Sequence, residues 1–121
     1  MKIYSFEKLE VWQDSKKMYL KIFEITKKFP ESEKYNMISQ IRRSSFSVTC
    51  NIAEGTSRWT NKEKSRYMEI AFSSLMETLN GLIIAFEMSL ISEELYLQMR
   101  NEIDMIANKL NSLNSHFKNN V

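Results

Sequence analysis

The chain has 121 residues, 43% of them hydrophobic and 26% charged, which predicts one soluble domain, residues 1–121, around a single core. Its two glycines and one proline argue against a sheet protein, which needs turn residues about every eight to twelve positions. The formal net charge is only +2, and the single cysteine, Cys50, excludes an internal disulfide and a cysteine-based zinc site.

Apolar residues recur at intervals of three and four along nearly the whole chain, the pattern of amphipathic helices. Pro30 is expected to end the first helix, and Gly55 to end the second in the left-handed conformation. Thr60 and Glu63 predict a capping box at the third helix, and Ser92 an N-cap at the fourth. Short connections favour antiparallel neighbours, so the predicted fold is all-α, an antiparallel up-down-up-down four-helix bundle. The predicted helices span residues 7–29, 32–54, 60–89 and 92–117.

The second predicted helix is unusual on its outer side. Residues 41–57 contain no lysine and are mostly short, whereas an exposed helix normally carries long charged side chains. Two interpretations are open: the helix is central within its own bundle, or a second face packs against another subunit. The residues predicted for that interface, or for a structural motif, are Arg43, Phe46, Ser47, Cys50, Asn51, Glu54 and Gly55.

Arg43 and Glu54 lie about three helical turns apart, so they cannot pair with each other along one straight helix. A buried charge without a partner is costly. If this face is covered, each side chain therefore needs a partner on another helix or another chain, which favours an oligomer.

A basic cluster begins the third predicted helix in the sequence RWTNKEKSR, residues 58–66. Cations around an aromatic ring can hold phosphates and stack on a base, although a few exposed cations are also ordinary solvated surface. Residues 42–66 carry six Lys or Arg and two Glu, whereas residues 67–107 carry one Arg and seven acids. Such a basic side suits either nucleic acid or the acidic side of a neighbouring copy. The residues predicted for possible nucleic-acid contact are Arg42, Arg58, Trp59, Lys62, Lys64 and Arg66.

Catalytic patterns are missing. The lone histidine, His116, lies near the C-terminus, and Glu69 and Glu77 on the third helix have no histidine to join them. We therefore predict no catalytic residue, no cofactor and no metal, and a protein that is not an enzyme. The N-terminus lacks a signal-peptide pattern, and the longest apolar run, LIIAF, is far shorter than the roughly 20 residues of a membrane span. These features predict a cytoplasmic protein without a membrane partner.

Four segments carry a family resemblance: FEKLEVWQDSKKM at 6–18, KFPESEKYNMISQIRRSSFSV at 28–48, NIAEGTSR at 51–58 and YMEIAFSSLMET at 67–78. They resemble the small bacterial four-helix-bundle family encoded in intervening sequences of 23S ribosomal RNA genes. The chain is also similar to the accessory protein of diversity-generating retroelements. Residues that match the motif are Arg42, Arg43, Asn51, Glu54, Gly55 and Arg58.

The resemblance implies an antiparallel bundle that assembles as a homopentameric ring. In the retroelement relative, a basic surface binds nucleic acid and the ring engages a reverse transcriptase. This chain departs from the pattern at Ser44 and Ser45, where alanines are common, and in its low net charge. The predicted function is a non-enzymatic, homopentameric scaffold or accessory factor whose main partner is itself. The alternative is an RNA- or DNA-binding protein, or a partner of a nucleic-acid-processing protein, that uses a basic patch repeated around the ring.

Overall fold

The computed structural model describes residues 1–120, so Val121 of the predicted domain lies outside the described residues. Four α-helices and no strand occur in that range, which confirms the predicted all-α four-helix bundle. The helices are α1 (Glu10–Thr26), α2 (Ser39–Thr56), α3 (Asn61–Glu87) and α4 (Glu93–Asn119).

Neighbouring helices run in opposite directions. On α1, Tyr19 contacts Phe46 of α2 with ring centroids 5.4 Å apart. Phe23, one turn further along α1, contacts Arg42, one turn earlier in α2. Such reversed contacts also relate α2 to α3 and α4 to α1. The helices therefore lie at the corners of a square, in which α2 packs between α1 and α3 and α4 between α3 and α1.

The helix ends show how the connections are built. A short 3₁₀ helix, Ser5–Lys8, precedes α1, so the regular helix begins later than predicted. Before α2 the chain forms a 3₁₀ turn and a π turn, Glu31–Glu33 and Lys34–Ile38, rather than regular α-helix. The two predicted N-caps form: Thr60 Oγ1 accepts from the backbone N–H of Glu63 at 3.2 Å, and Ser92 caps α4 in the same way. The predicted capping box is only half formed, because the Glu63 carboxylate pairs with Arg66 at 3.7 Å instead of accepting from the backbone of Thr60.

The predicted role of Gly55 is wrong. Within residues 1–120 no glycine has a positive φ, and Gly55 lies inside α2 instead of following it in the left-handed conformation. A Cβ atom at this position would lie 2.5 Å from Cβ of Tyr67 and 2.7 Å from Cε of Met68. Gly55 is therefore needed for the close approach of α2 and α3. The left-handed residue is Ser89, with φ 63°, just after α3.

The core lies on the axis of the square and is closely packed. Although α3 is long and apolar enough to cross a membrane by length and composition, it packs here between α2 and α4. The largest fully buried side chains are Met18, Ile22, Ile41, Val48, Ile52, Met68, Leu75, Leu82, Met99, Ile103, Ile106 and Leu110.

Candidate assembly surface and basic cluster

The outer face of α2 has two flanks, one towards α1 and one towards α3. On the flank towards α1, Phe46 is 53% exposed and contacts Tyr19. Cys50 and Ala53 follow at helical spacing and are half-buried. A large aromatic ring thus stands on the surface beside short apolar side chains, without a long charged residue of α2 to cover it.

Cys50 has little of the character of a reactive cysteine. Its burial raises the pKa of the thiol, the charge of Glu54 raises it further, and a hydrogen bond with Thr49 acts in the opposite direction. Because the thiolate is the nucleophilic form, Cys50 is a poor nucleophile at neutral pH. Its contribution to this flank is a small, polarisable surface.

The flank towards α3 is polar and internally satisfied. Ser47 and Ser74 share a hydrogen bond of 2.9 Å between their hydroxyls. Asn51 Nδ2 donates to the backbone oxygen and the hydroxyl of Ser47, at 2.8 and 3.0 Å. Thr78 donates to the Ser44 hydroxyl at 2.8 Å. The short polar residues that interrupt the sequence pattern of α2 therefore bind α2 to α3.

Arg43 and Glu54 are exposed at the outer edge of this flank. No salt bridge among residues 1–120 includes either side chain. The partners predicted for them on another helix are absent from the part of the chain described, and a partner on another chain stays a prediction. Arg43 borders an open groove of about 400 Å³ between α2 and α3, lined by Gln40, Arg43, Ser44, Ser47, Ser74 and Glu77.

Arg42, the neighbour of Arg43, has a different environment. Its Nε donates to Thr26 Oγ1 at 2.8 Å, its Nη2 donates to the backbone oxygen of Phe23 at 3.3 Å, and its guanidinium stacks 4.0 Å from the Phe23 ring. These contacts satisfy a carbonyl group in the last turn of α1. Arg42 is thus engaged within the bundle, near the end of α2 that is remote from the other predicted cations.

The basic cluster surrounds the connection between α2 and α3. Trp59 is 98% exposed. Arg58 stacks 4.6 Å from the Tyr67 ring centroid and donates to the Tyr67 hydroxyl. Arg66, which directly precedes Tyr67 in α3, lies 5.6 Å from the centroid of the same ring. Lys62 is exposed as well, so three cations and an aromatic ring share one corner of the molecule.

Lys64 belongs to the same segment but turns inward. Its Nζ donates to the backbone oxygen of Thr56 at 3.4 Å, and it lies 5.8 Å from the Phe117 ring centroid. The lysine therefore satisfies the C-terminal end of α2 next to α4. Of the six residues predicted for nucleic-acid contact, the structure brings together Arg58, Trp59, Lys62 and Arg66.

This arrangement can be compared with known proteins. The family model of the 23S rRNA-intervening sequence protein matches residues 7–112. The chain belongs to this family. No curated protein matches it. A similar solved structure is a protein of unknown function from the S23 ribosomal protein family of Bacteroides thetaiotaomicron VPI-5482. Its TM-score is 0.80 at 24% identity, with 87% of this chain and 95% of that chain covered, which shows a common fold.

One surface of this family member was not predicted from the sequence. A groove of about 220 Å³ adjoins the polar one and is lined partly by Met37, Ile41 and Ile84. It lies over Gly81, where a Cβ would be 2.6 Å from Cγ1 of Ile41. In the sequence, the signal at this position is Gly81, an isolated glycine in an apolar helical pattern. Such a glycine indicates close packing of helices but does not predict a notch on the surface.

Among the residues that the structure describes, no group of three or more His, Cys, Asp and Glu is placed to hold a metal ion. The two predicted carboxylates diverge on α3: Glu69 pairs with Lys118 of α4 at 3.1 Å, while Glu77 borders the groove towards α2. His116 lies 5.7 Å from the ring of Phe117, near the end of α4. Glu69 and Glu77 thus have different surroundings.

Proposed function

We propose that this member of the 23S rRNA-intervening sequence protein family is a non-enzymatic, cytoplasmic, homo-oligomeric bundle that acts as a scaffold or accessory factor. The outer face of α2 forms the contact between subunits. A ring of five is proposed from the resemblance to ring-forming bundle proteins. The observation that carries the proposal is the exposed Phe46 on a helix whose outer face lacks lysine.

The physical argument concerns what this face does in water. Burying a phenyl ring contributes about 1.5–3 kcal/mol, so exposing Phe46 forgoes part of that stabilisation. Short neighbours such as Ser47, Cys50 and Ala53 let another backbone approach closely while losing little side-chain entropy. Interfaces are enriched in aromatic residues and arginine and depleted in lysine, as this face is.

Light scattering after size exclusion tests the proposal. The wild-type protein should have a mass that is a multiple of 14.4 kDa, five times that value for a ring of five. Phe46→Glu should reduce the mass to that of one chain. The matched control is Leu97→Glu on α4, where Leu97 is similarly exposed at 51%, and it should leave the assembly intact. A wild-type monomer at micromolar concentration would refute the scaffold.

A second function, binding of RNA or DNA, is favoured by one specific observation. Trp59 is almost fully exposed between Arg58 and Lys62, which suits stacking on an unpaired base with cations near the backbone. A ring would repeat these cations and add their fields.

Fluorescence anisotropy with labelled single-stranded RNA and DNA tests this function. Binding should weaken steeply as salt is raised, and Trp59→Ala should weaken it several-fold. Tyr35→Ala, which removes another highly exposed aromatic ring from a different connection, serves as the control. No binding at low salt would exclude the function while leaving the scaffold proposal untouched.

A further inference from the structure

We infer that the contact between copies is heterologous: the flank of α2 towards α1 in one copy packs into the groove between α2 and α3 of the next. This inference rests on the proposed homo-oligomer and assigns its two complementary surfaces. The first surface, the aromatic flank, consists of Tyr19, Phe46, Cys50 and Ala53. The second, the α2/α3 groove, is the continuous depression formed by the 400 and 220 Å³ grooves, which share Gln40 and Glu77.

The aromatic flank has the form of a protruding ring with a basic rim. Phe46 stands 53% exposed on the surface, supported from below by Tyr19. Lys16 lies over the Trp12 ring at 5.1 Å, and Lys27, which also pairs with Glu24 at 3.1 Å, lies over the Phe23 ring at 5.4 Å. A surface that receives this flank should offer an apolar depression and acidic groups.

The α2/α3 groove offers both features. At one end Met37, Ile41 and Ile84 line an apolar notch beside Gly81. In the centre Glu77 is exposed, and no salt bridge in residues 1–120 includes it. Residues 67–87 of α3 contain three glutamates and no lysine or arginine. Lys16 on the flank of one copy would therefore face this acidic part of α3 in the next, which is favourable at an interface.

Arg43 provides a further complementary group at the edge of the groove. Two other arginines stack on aromatic rings of their own bundle: the guanidinium of Arg42 lies 4.0 Å from the Phe23 ring centroid, and that of Arg58 lies 4.6 Å from the Tyr67 ring centroid. Among residues 1–120 no aromatic ring stacks with Arg43 in this way, and the flank of the next copy would supply one. Contact of guanidinium with an aromatic face contributes about 0.5–2 kcal/mol, depending on how far water is excluded.

The positions of the two surfaces also allow the assembly to close. The α1/α2 and α2/α3 sides are adjacent sides of the square and share α2. If identical copies are joined through two sides at about a right angle, each copy is rotated by a similar angle relative to the one before it, and the assembly closes into a small ring. Copies joined through opposite sides would instead extend into a filament. Adjacent sides therefore agree with a ring of roughly four or five copies, and they explain why α2 carries mostly short side chains and no lysine on either flank.

Mixing two single variants tests the inference. Phe46→Glu disrupts the aromatic flank but keeps the groove, whereas Ile84→Glu disrupts the groove but keeps the flank. Ile84 is 39% exposed, so the new carboxylate can reach solvent. Each variant alone should be monomeric by light scattering. An equimolar mixture should give a complex of two chains, twice 14.4 kDa, because one intact flank and one intact groove can still meet. Leu97→Glu should assemble as wild type.

Circular dichroism should confirm that each variant is folded. Arg43→Glu, at an exposed position of the same groove, replaces Ile84→Glu if that variant unfolds. If the groove variant assembles as wild type while Phe46→Glu is monomeric, the flank of one copy binds the flank of another. That result would contradict the heterologous contact but not the proposed oligomer. A mixture that stays monomeric also overturns it. A monomeric wild-type protein removes the proposed function first.

Discussion

Gly55 and Gly81 are the two glycines of the chain, and each lies where α2 and α3 pass close to one another. At Gly55 the neighbouring atom is Cβ of Tyr67, which is fixed to the backbone of α3. At Gly81 the neighbour is the side chain of Ile41. At the residue scale, the separation of α2 and α3 therefore depends on having glycine, which has no Cβ, at these two positions.

Gly55→Ala should lower the free energy of unfolding by about 1–3 kcal/mol, because the added methyl group forces the two helix backbones apart. This cost opposes the gain of about 1 kcal/mol that alanine brings to a helix. Denaturation in urea at one protein concentration measures the change. Asn108→Ala, at an exposed position of α4, should alter stability by no more than about 0.5 kcal/mol. An unchanged Gly55→Ala variant would contradict the close approach described above.

At the scale of the helical element, α2 shows how adjacent residues acquire different roles. Arg42 points towards α1 and bonds to its last turn, while Arg43 is exposed beside the α2/α3 groove. One residue advances a helix by about 100°, so neighbours in sequence face different helices. The paired arginines are thus one packing contact and one surface group.

Arg42→Ala should destabilise the bundle by about 1–3 kcal/mol, because it removes a stacked guanidinium and leaves the Thr26 hydroxyl and Phe23 carbonyl without this donor. Arg43→Ala is the matched control and should stay within about 0.5 kcal/mol of its parent. Both changes are best measured by urea denaturation in the Phe46→Glu background, so that assembly does not add to stability. Equal effects of the two substitutions would show that Arg42 has no special role.

At the scale of the whole molecule, α1 and α4 close the bundle through two salt bridges. Lys21 pairs with Glu102 at 2.8 Å and Lys109 with Asp14 at 2.5 Å. The hydrogen bond from Lys109 to Asp14 raises the pKa of Lys109, against an opposing effect of burial, and the charges of Asp14 and Glu10 raise it further. The two salt bridges therefore join the first and last helices at their surface.

The stabilisation that the Lys109–Asp14 salt bridge contributes should depend on pH in the alkaline range. Because the folded-state pKa of Lys109 is raised, its contribution is complete below the ordinary lysine pKa of about 10.4 and is lost as pH rises through the raised value. Lys109→Gln should thus destabilise the protein at pH 8, and the difference from wild type should shrink above the raised pKa. Urea denaturation across this range measures it. Lys8→Gln, at an exposed position, should show no such pH-dependent difference.

The helices, their polar caps and the unusual outer face of α2 could all be predicted from the sequence. Apolar spacing depends on the 3.6-residue turn, and a cap such as Thr60 bonds to a backbone group three residues away. These signals are local, so they can be read without knowing which helices meet. The absence of lysine from residues 41–57 is likewise a property of the chain itself.

Only the tertiary structure decided the roles of Gly55, Arg42 and Lys64. Gly55 proved to be a packing contact with α3, and the two cations proved to bond to the ends of α1 and α2. The notch above Gly81 likewise requires α2 and α3 side by side. Each of these features depends on atoms brought together by the register and separation of two helices. A local pattern specifies which face of a helix is buried, but not which atom of a neighbouring helix lies opposite a given side chain.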